Sequence, residues 1–246
     1  MQNKELPCAP FSDGEIAFFR RFLRDPTGEH SWMLKASAER WGFCERHVFG
    51  LLAIAASIPR AGLHTASTLF FQATAFALTG VERLLEGTAS GHSLTSEEPC
   101  PMCELGLDER TPAPIHRGWL ALPQSLGRLQ TMLASTRSHW ISMACSECTG
   151  SGQGVLCRLH LIEAQRDEVA CADHRLLEAQ ERGLEDIHAR LESYLRTFRP
   201  EASGATPGDG AAAVISAAGW CAGWHLLWHA DHSAQGREPQ RAPVPA

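Results

Sequence analysis

Between Met143 and His174 the chain reads MACSECTGSGQGVLCRLHLIEAQRDEVACADH, in which Cys145-x-x-Cys148, Cys157-x-x-His160 and Cys171-x-x-His174 follow one another. Cys100-Pro101-Met102-Cys103 lies upstream. Each is a half-site offering two soft or borderline ligands, and a structural zinc takes four such ligands at tetrahedral angles. Four half-sites suffice for two closed sites, so two bound Zn²⁺ ions are the expectation. A chain stapled in this way must bring four short segments together in pairs, which restricts the folds open to it. The competing reading is scattered buried cysteines with surface histidines, and four repeats of one spacing argue against it. Cys171 and His174 lie inside a long helical pattern, where an i, i+3 pair can equally pack against a neighbour.

The surrounding sequence is that of a folded body. It has 246 residues and 44% apolar content, enough for one large or two small domains. A formal charge of −6 and a pI near 6.0 argue against binding nucleic acid by phosphate neutralisation. MQNKELPCAP does not read as a secretory signal, and neither end carries a lipidation box. The richest apolar run, Leu69 to Leu78, falls short of the roughly 20 residues that cross a bilayer. A cytoplasmic protein with no membrane span is therefore expected. In a reducing compartment nine cysteines point to metal or redox chemistry rather than to a disulfide framework.

Helical periodicity dominates the chain, and no stretch reads as a strand. Ser12 or Asp13 can cap a helix with Ile16, Phe18, Phe19, Phe22 and Leu23 at helical spacing, ended by Asp25-Pro26-Thr27-Gly28. Further helices are predicted over 31–40, 48–57 and 63–85, followed by a polar linker from Thr88 to Pro99. Residues 118–136 form another, and 158–198 read as one long helix with Leu176, Leu177, Leu184, Ile187, Leu191 and Leu195 inward. After the flexible stretch PEASGATPGD, a last helix covers 211–230, and the tail has the composition of disorder. The expected class is all-α: two related helical modules stapled by Cys/His zinc knuckles, plus a C-terminal helix. Boundaries fall at 1–92, 93–199 and 200–246. A weak repeat supports the relation, because Gly42-Phe43-Cys44-Glu45-Arg46-His47 and Val155-Leu156-Cys157-Arg158-Leu159-His160 each open an apolar helix.

These motifs resemble an uncharacterised bacterial family of Cys/His-rich helical proteins, built from two modules of the form C-P-x-C, helix, D-P, helix, G-[FL]-C-x-x-H. Cys8, Asp25-Pro26 and Gly42 to His47 match the first module, and Cys100 to Cys103 with Leu156 to His160 match the second. The resemblance implies a fold and metal ligands but no activity. Phe11 stands where the first knuckle would have its second cysteine, leaving Cys8, Cys44 and His47 as three ligands. Cys145/Cys148 and Cys171/His174 are additions to the pattern. Two pairings stay open. The resemblance favours Cys100, Cys103, Cys157 and His160 as one site, with Cys145, Cys148, Cys171 and His174 as the other. The local alternative joins Cys145/Cys148 to Cys157/His160 across the Gly-rich turn Thr149 to Gly154.

Two further places could carry chemistry. Three ligands with an open fourth position, at Cys8, Cys44 and His47, is the geometry of a catalytic zinc, although a decayed structural site has the same ligands. In the last helix Trp220, Trp224 and Trp228 share a face, and Cys221, His225, His229 and His232 form a stripe that could hold a third metal or haem iron. The plainer reading packs the tryptophans in the core and leaves the histidines at its margin. GSGQG at Gly150 to Gly154 lacks the lysine of a phosphate loop, and no G-x-S-x-G occurs. The leading expectation is a zinc-binding accessory protein that contacts a protein partner. A metalloenzyme or metal handler using an open site comes second, and a thiol redox or metal-responsive switch third.

Overall fold

A computed structural model describes residues 11–28, 31–58, 60–89, 94–96, 98–108, 122–150, 155–166, 174–198 and 207–235. Among these residues there are helices and no strand. Helix α1, Asp13–Arg24, starts with a capping box: the Glu15 N–H donates to Ser12 Oγ, and the Ser12 N–H donates to Glu15 Oε2. Its buried stripe of Ile16, Phe19, Phe22 and Leu23 recurs every three or four residues and faces α3, Glu45–Ala55. Helix α2, Ser31–Glu39, packs on α4, Ala61–Leu85, the longest helix among the described residues. Along α4 the buried residues Ala66, Leu69, Phe70, Ala73, Ala77 and Val81 turn towards the interior. Burying a side chain the size of Leu or Phe contributes roughly 1.5–3 kcal/mol, so this stripe anchors the body.

Two short turns, α5 (Pro101–Glu104) and α8 (Ser146–Thr149), begin at the C-x-x-C pairs. Between them lie α6, Leu122–Ser135, and α7, Arg137–Trp140. Helix α9, Arg158–Arg166, is followed by α10, His174–Arg196, which packs along α4 through Leu177, Leu184, Ile187 and Leu191. There Phe71 stacks on His188 with ring centres 4.2 Å apart, and Thr74 Oγ1 lies 2.9 Å from His188 Nδ1. Helix α11, Pro207–Ala222, touches α3, α4, α6, α7, α9 and α10, and α12 runs His225–Ala234. One apolar core extends from Phe11 to Ala230. Among the described residues no helix is long and apolar enough to cross a membrane.

The helical class and the bounds of α1 and α4 agree with the sequence reading, while other segments differ. The helix expected at Val48 begins at Glu45, because Cys44 takes the extended conformation of an N-cap. Within the pattern from 158 to 198 the structure describes helix over Arg158–Arg166 and His174–Arg196, and 167–173 lie outside the described residues. Leu94, in the stretch read as a polar linker, is fully buried. The last helix expected over 211–230 is two. Gly223 adopts φ +100°, where a side chain would be strained, and the chain turns there between α11 and α12. Trp224 then folds back over Gly219 so tightly that a Cβ at Gly219 would meet its ring at 2.2 Å. Helix α11 is not amphipathic: every residue from Gly210 to Ala222 is buried, as small Ala and Gly side chains allow neighbours to close in on all sides. The tail from 236 onward lies outside the described residues.

Candidate metal centres

All four half-sites that meet in the structure are built alike. Cys44, Cys100 and Cys145 are the N-cap residues of α3, α5 and α8, and Cys157 immediately precedes α9. The second member of each pair, His47, Cys103, Cys148 or His160, is three residues on, at the end of the first helical turn. One turn therefore points both ligands to the same side, and the unpaired N–H groups of that turn face the sulfurs. Pro101 at the first position of α5 suits this start, where its missing N–H costs nothing.

The structure gathers two sets, Cys44/His47/Cys100/Cys103 and Cys145/Cys148/Cys157/His160, each with all four ligand atoms within 4.8 Å of one another. In the first, His47 Nδ1 lies 3.2, 3.4 and 3.5 Å from the sulfurs of Cys44, Cys100 and Cys103, and Cys44 Sγ is 3.9 Å from Cys103 Sγ. In the second, His160 Nδ1 lies 3.3, 3.4 and 3.3 Å from Cys145, Cys148 and Cys157, and Cys148 Sγ is 3.7 Å from Cys157 Sγ. A tetrahedral zinc, about 2.3 Å from sulfur and about 2.05 Å from nitrogen, sets sulfurs about 3.8 Å apart and sulfur about 3.6 Å from nitrogen. Both sets fit a single tetrahedral ion.

The crossed pairing is thus replaced by the local one, and the Cys44/His47 pair finds its partners in the second knuckle. Two effects account for this. Cys145 to His160 is a short loop, whose closure costs less chain entropy than a long one. The long-range set is aligned by Arg40, which follows α2 and forms ion pairs with Glu98 and Glu104 on either side of the knuckle, while donating to the Pro99 carbonyl at 3.3 Å. Phe11 fills the place of the missing cysteine as a core residue, stacked on Phe49 and covered by the Arg46 guanidinium 4.8 Å from its ring centre. Cys8 and Cys171 lie outside the described residues. His174 is exposed at the start of α10, with Nε2 3.5 Å from Glu178 Oε1. The expected boundary at residue 92 falls between the two halves of the first set.

The stripe on the last helix is not drawn together among the described residues. Cys221 is fully buried, His225 is exposed on the far side of the Gly223 turn, and His229 Nδ1 lies 3.4 Å from Ser233 Oγ. His232 Nδ1 lies 3.0 Å from the Trp228 carbonyl. Trp220 and Trp224 are core residues, and Trp224 stacks on Trp140 at 5.5 Å.

Around the first set stands a residue that spacing did not reveal. Glu15, fully buried, accepts from Arg46 through both carboxylate oxygens at 2.9 Å, and its Oε1 lies 3.1 Å from His47 Nε2. Burial works against its charge, but bonds from His47, Arg46 and the Ser12 N–H outweigh that and hold it at about 2. A carboxylate behind a ligating imidazole fixes the tautomer that presents Nδ1 and makes the ring a better donor to a cation. The Ser12-x-x-Glu15 capping box was the visible signal, although it says nothing of His47. Around the second set no such partner exists among the described residues: His160 Nε2 is 3.9 Å from the exposed Glu163.

Without metal, the thiols of each set lie close enough to perturb one another's ionisation. The Cys100 thiol is held down to about 4, first by a hydrogen bond from Cys44 and then by His47, while burial opposes. Cys145 is lowered by bonds from Cys148 and then Cys157. Cys44 and Cys148 are raised in turn, chiefly by those same sulfur partners. A divalent cation relieves this crowding by displacing the remaining protons.

The residue after each C-x-x-H cysteine grips the elbow between α11 and α12. Glu45 accepts from the Leu226 N–H at 2.9 Å, at the start of α12. Arg158 donates at 2.9 Å to the Cys221 carbonyl, at the end of α11, and at 2.9 Å to the Leu94 carbonyl. An anion at a helix start and a cation at a helix end both oppose the helix dipole favourably.

The chain matches no family model, no curated protein and no solved structure.

Proposed function

We propose that this chain is a zinc-stapled helical accessory protein of the cytoplasm, in which two structural Zn²⁺ ions hold helix starts in place for contact with a protein partner. The observation that carries this reading is the completeness of both ligand sets, each a C-x-x-C and a C-x-x-H at the spacing of tetrahedral zinc. Exposed Leu105 beside the first set and exposed Leu159 within the second support the contact role, since each gives its centre an apolar shoulder. The Cys/His-rich family resemblance supports the same ligand chemistry and adds no activity.

Metal content per chain, measured by mass spectrometry on protein purified without added metal, tests it. Two zincs are expected, falling to one in a Cys44→Ser, His47→Ala variant. Less than one metal per chain, with freely titrating thiols, would sink the reading.

A further inference from the structure

We propose that the Cys44/His47/Cys100/Cys103 centre is a site of oxidative modification, at which a hydroperoxide joins Cys44 to Cys103 in a disulfide and expels the metal. The inference rests on zinc occupying both centres. Two features of the structure single out this centre and this pair. Cys44 and Cys103 are exposed, whereas Cys145, Cys148 and Cys157 are all buried. Their sulfurs are already 3.9 Å apart and belong to different helices, α3 and α5. Susceptibility of a cysteine to peroxide follows thiolate character and access, and zinc keeps its sulfur ligands deprotonated.

The chemistry balances with hydrogen peroxide as oxidant. One exposed thiolate attacks a peroxide oxygen, the O–O bond breaks, and hydroxide leaves, giving a sulfenic acid. The second thiolate attacks that sulfur, the S–O bond breaks, and a second hydroxide leaves. Two thiolates have lost two electrons, the peroxide has gained them, and two protons from solvent complete two waters. Only Cys100 and His47 remain to ligate, so the ion departs. The new bond between α3 and α5 replaces the link the metal made, and a dithiol reductant reverses the change.

The test starts from the full chain with its metal counted. A chain carrying fewer than two zincs would overturn the metal reading itself, whatever its response to peroxide. With two present, hydrogen peroxide is added and released zinc is followed with a chromogenic chelator, while disulfides are mapped by peptide mass spectrometry. The expected result is one zinc per chain released roughly tenfold or more faster than the other, with the Cys44 peptide linked to the Cys103 peptide. Dithiothreitol with added zinc should restore the count. Release of both zincs at one rate, retention of both, or a linkage that leaves out Cys44 or Cys103 would overturn the proposal. A Cys103→His variant, which keeps four ligands and removes one thiol of the pair, should retain its metal under the same treatment; if it does not load, the linkage map on the unaltered chain still decides.

Discussion

The centre at Cys145, Cys148, Cys157 and His160 draws its ligands from one short stretch, with Cys148 and Cys157 only 9 residues apart, and buries its three sulfurs. The centre at Cys44, His47, Cys100 and Cys103 joins segments 59 residues apart and leaves two of its cysteines exposed. Both are made from the same one-turn half-sites. The motif sets how two side chains point, whereas sequence distance and surroundings set how deeply the gathered set is buried. The local centre joins two half-sites whose sulfurs lie in the core; the distant one brings together two parts of the fold and has a buried carboxylate, Glu15, behind its histidine.

The sharpest way to break the contrast is to remove one ligand from each centre. Cys148→Ser should abolish the cooperative thermal transition followed by circular dichroism. It leaves Cys145 and Cys157 buried in the core without a cation, a desolvation cost that the more exposed centre does not carry, against a total stability of about 5–15 kcal/mol. Cys103→Ser should keep the helical spectrum and a single transition at lower temperature. Equal damage from the two substitutions would erase the distinction. A smaller effect is expected from Glu15→Gln, which should weaken zinc binding at the distant centre by about 10–100-fold, read by competition with a chelator, and leave the local centre unchanged. Loss at both centres would mean that Glu15 acts on the whole fold. The smallest effect belongs to Glu45→Gln, which removes the charge at the start of α12 but keeps an oxygen acceptor. It should cost about 0.3–1 kcal/mol in thermal stability with the metal count unaltered; a drop in metal count would instead tie the elbow directly to ligand geometry.

The all-α class was legible because apolar periodicity at Ile16 to Leu23 and along α4 is decided by local sequence. All eight residues of the two sets carry spacings visible in the chain, yet the pairing was not legible. A C-x-x-C or C-x-x-H fixes one helical turn, while the choice of partner is made by long-range packing of the helices that carry the half-sites. Glu15 was hidden for the same reason, since its contact with His47 spans 32 residues. The elbow at Gly223 left a signal that periodicity masked: Gly219 and Gly223 sit four apart, one receiving the Trp224 ring and the other making the turn.

That elbow also orders events in time. Helices α11 and α12 leave the ribosome after all eight residues of the two sets, and the two side chains that grip the elbow, Glu45 and Arg158, each come directly after a cysteine of a set. Under the zinc reading, the surface awaiting the C-terminal pair is set before the pair is synthesised. If the two ions set the positions of Glu45 and Arg158, a chain stripped of metal would hold the elbow less firmly and open it to a protease. Limited proteolysis of chelator-treated and zinc-loaded protein should show that order, with earliest cleavage near Gly223 only in the stripped chain.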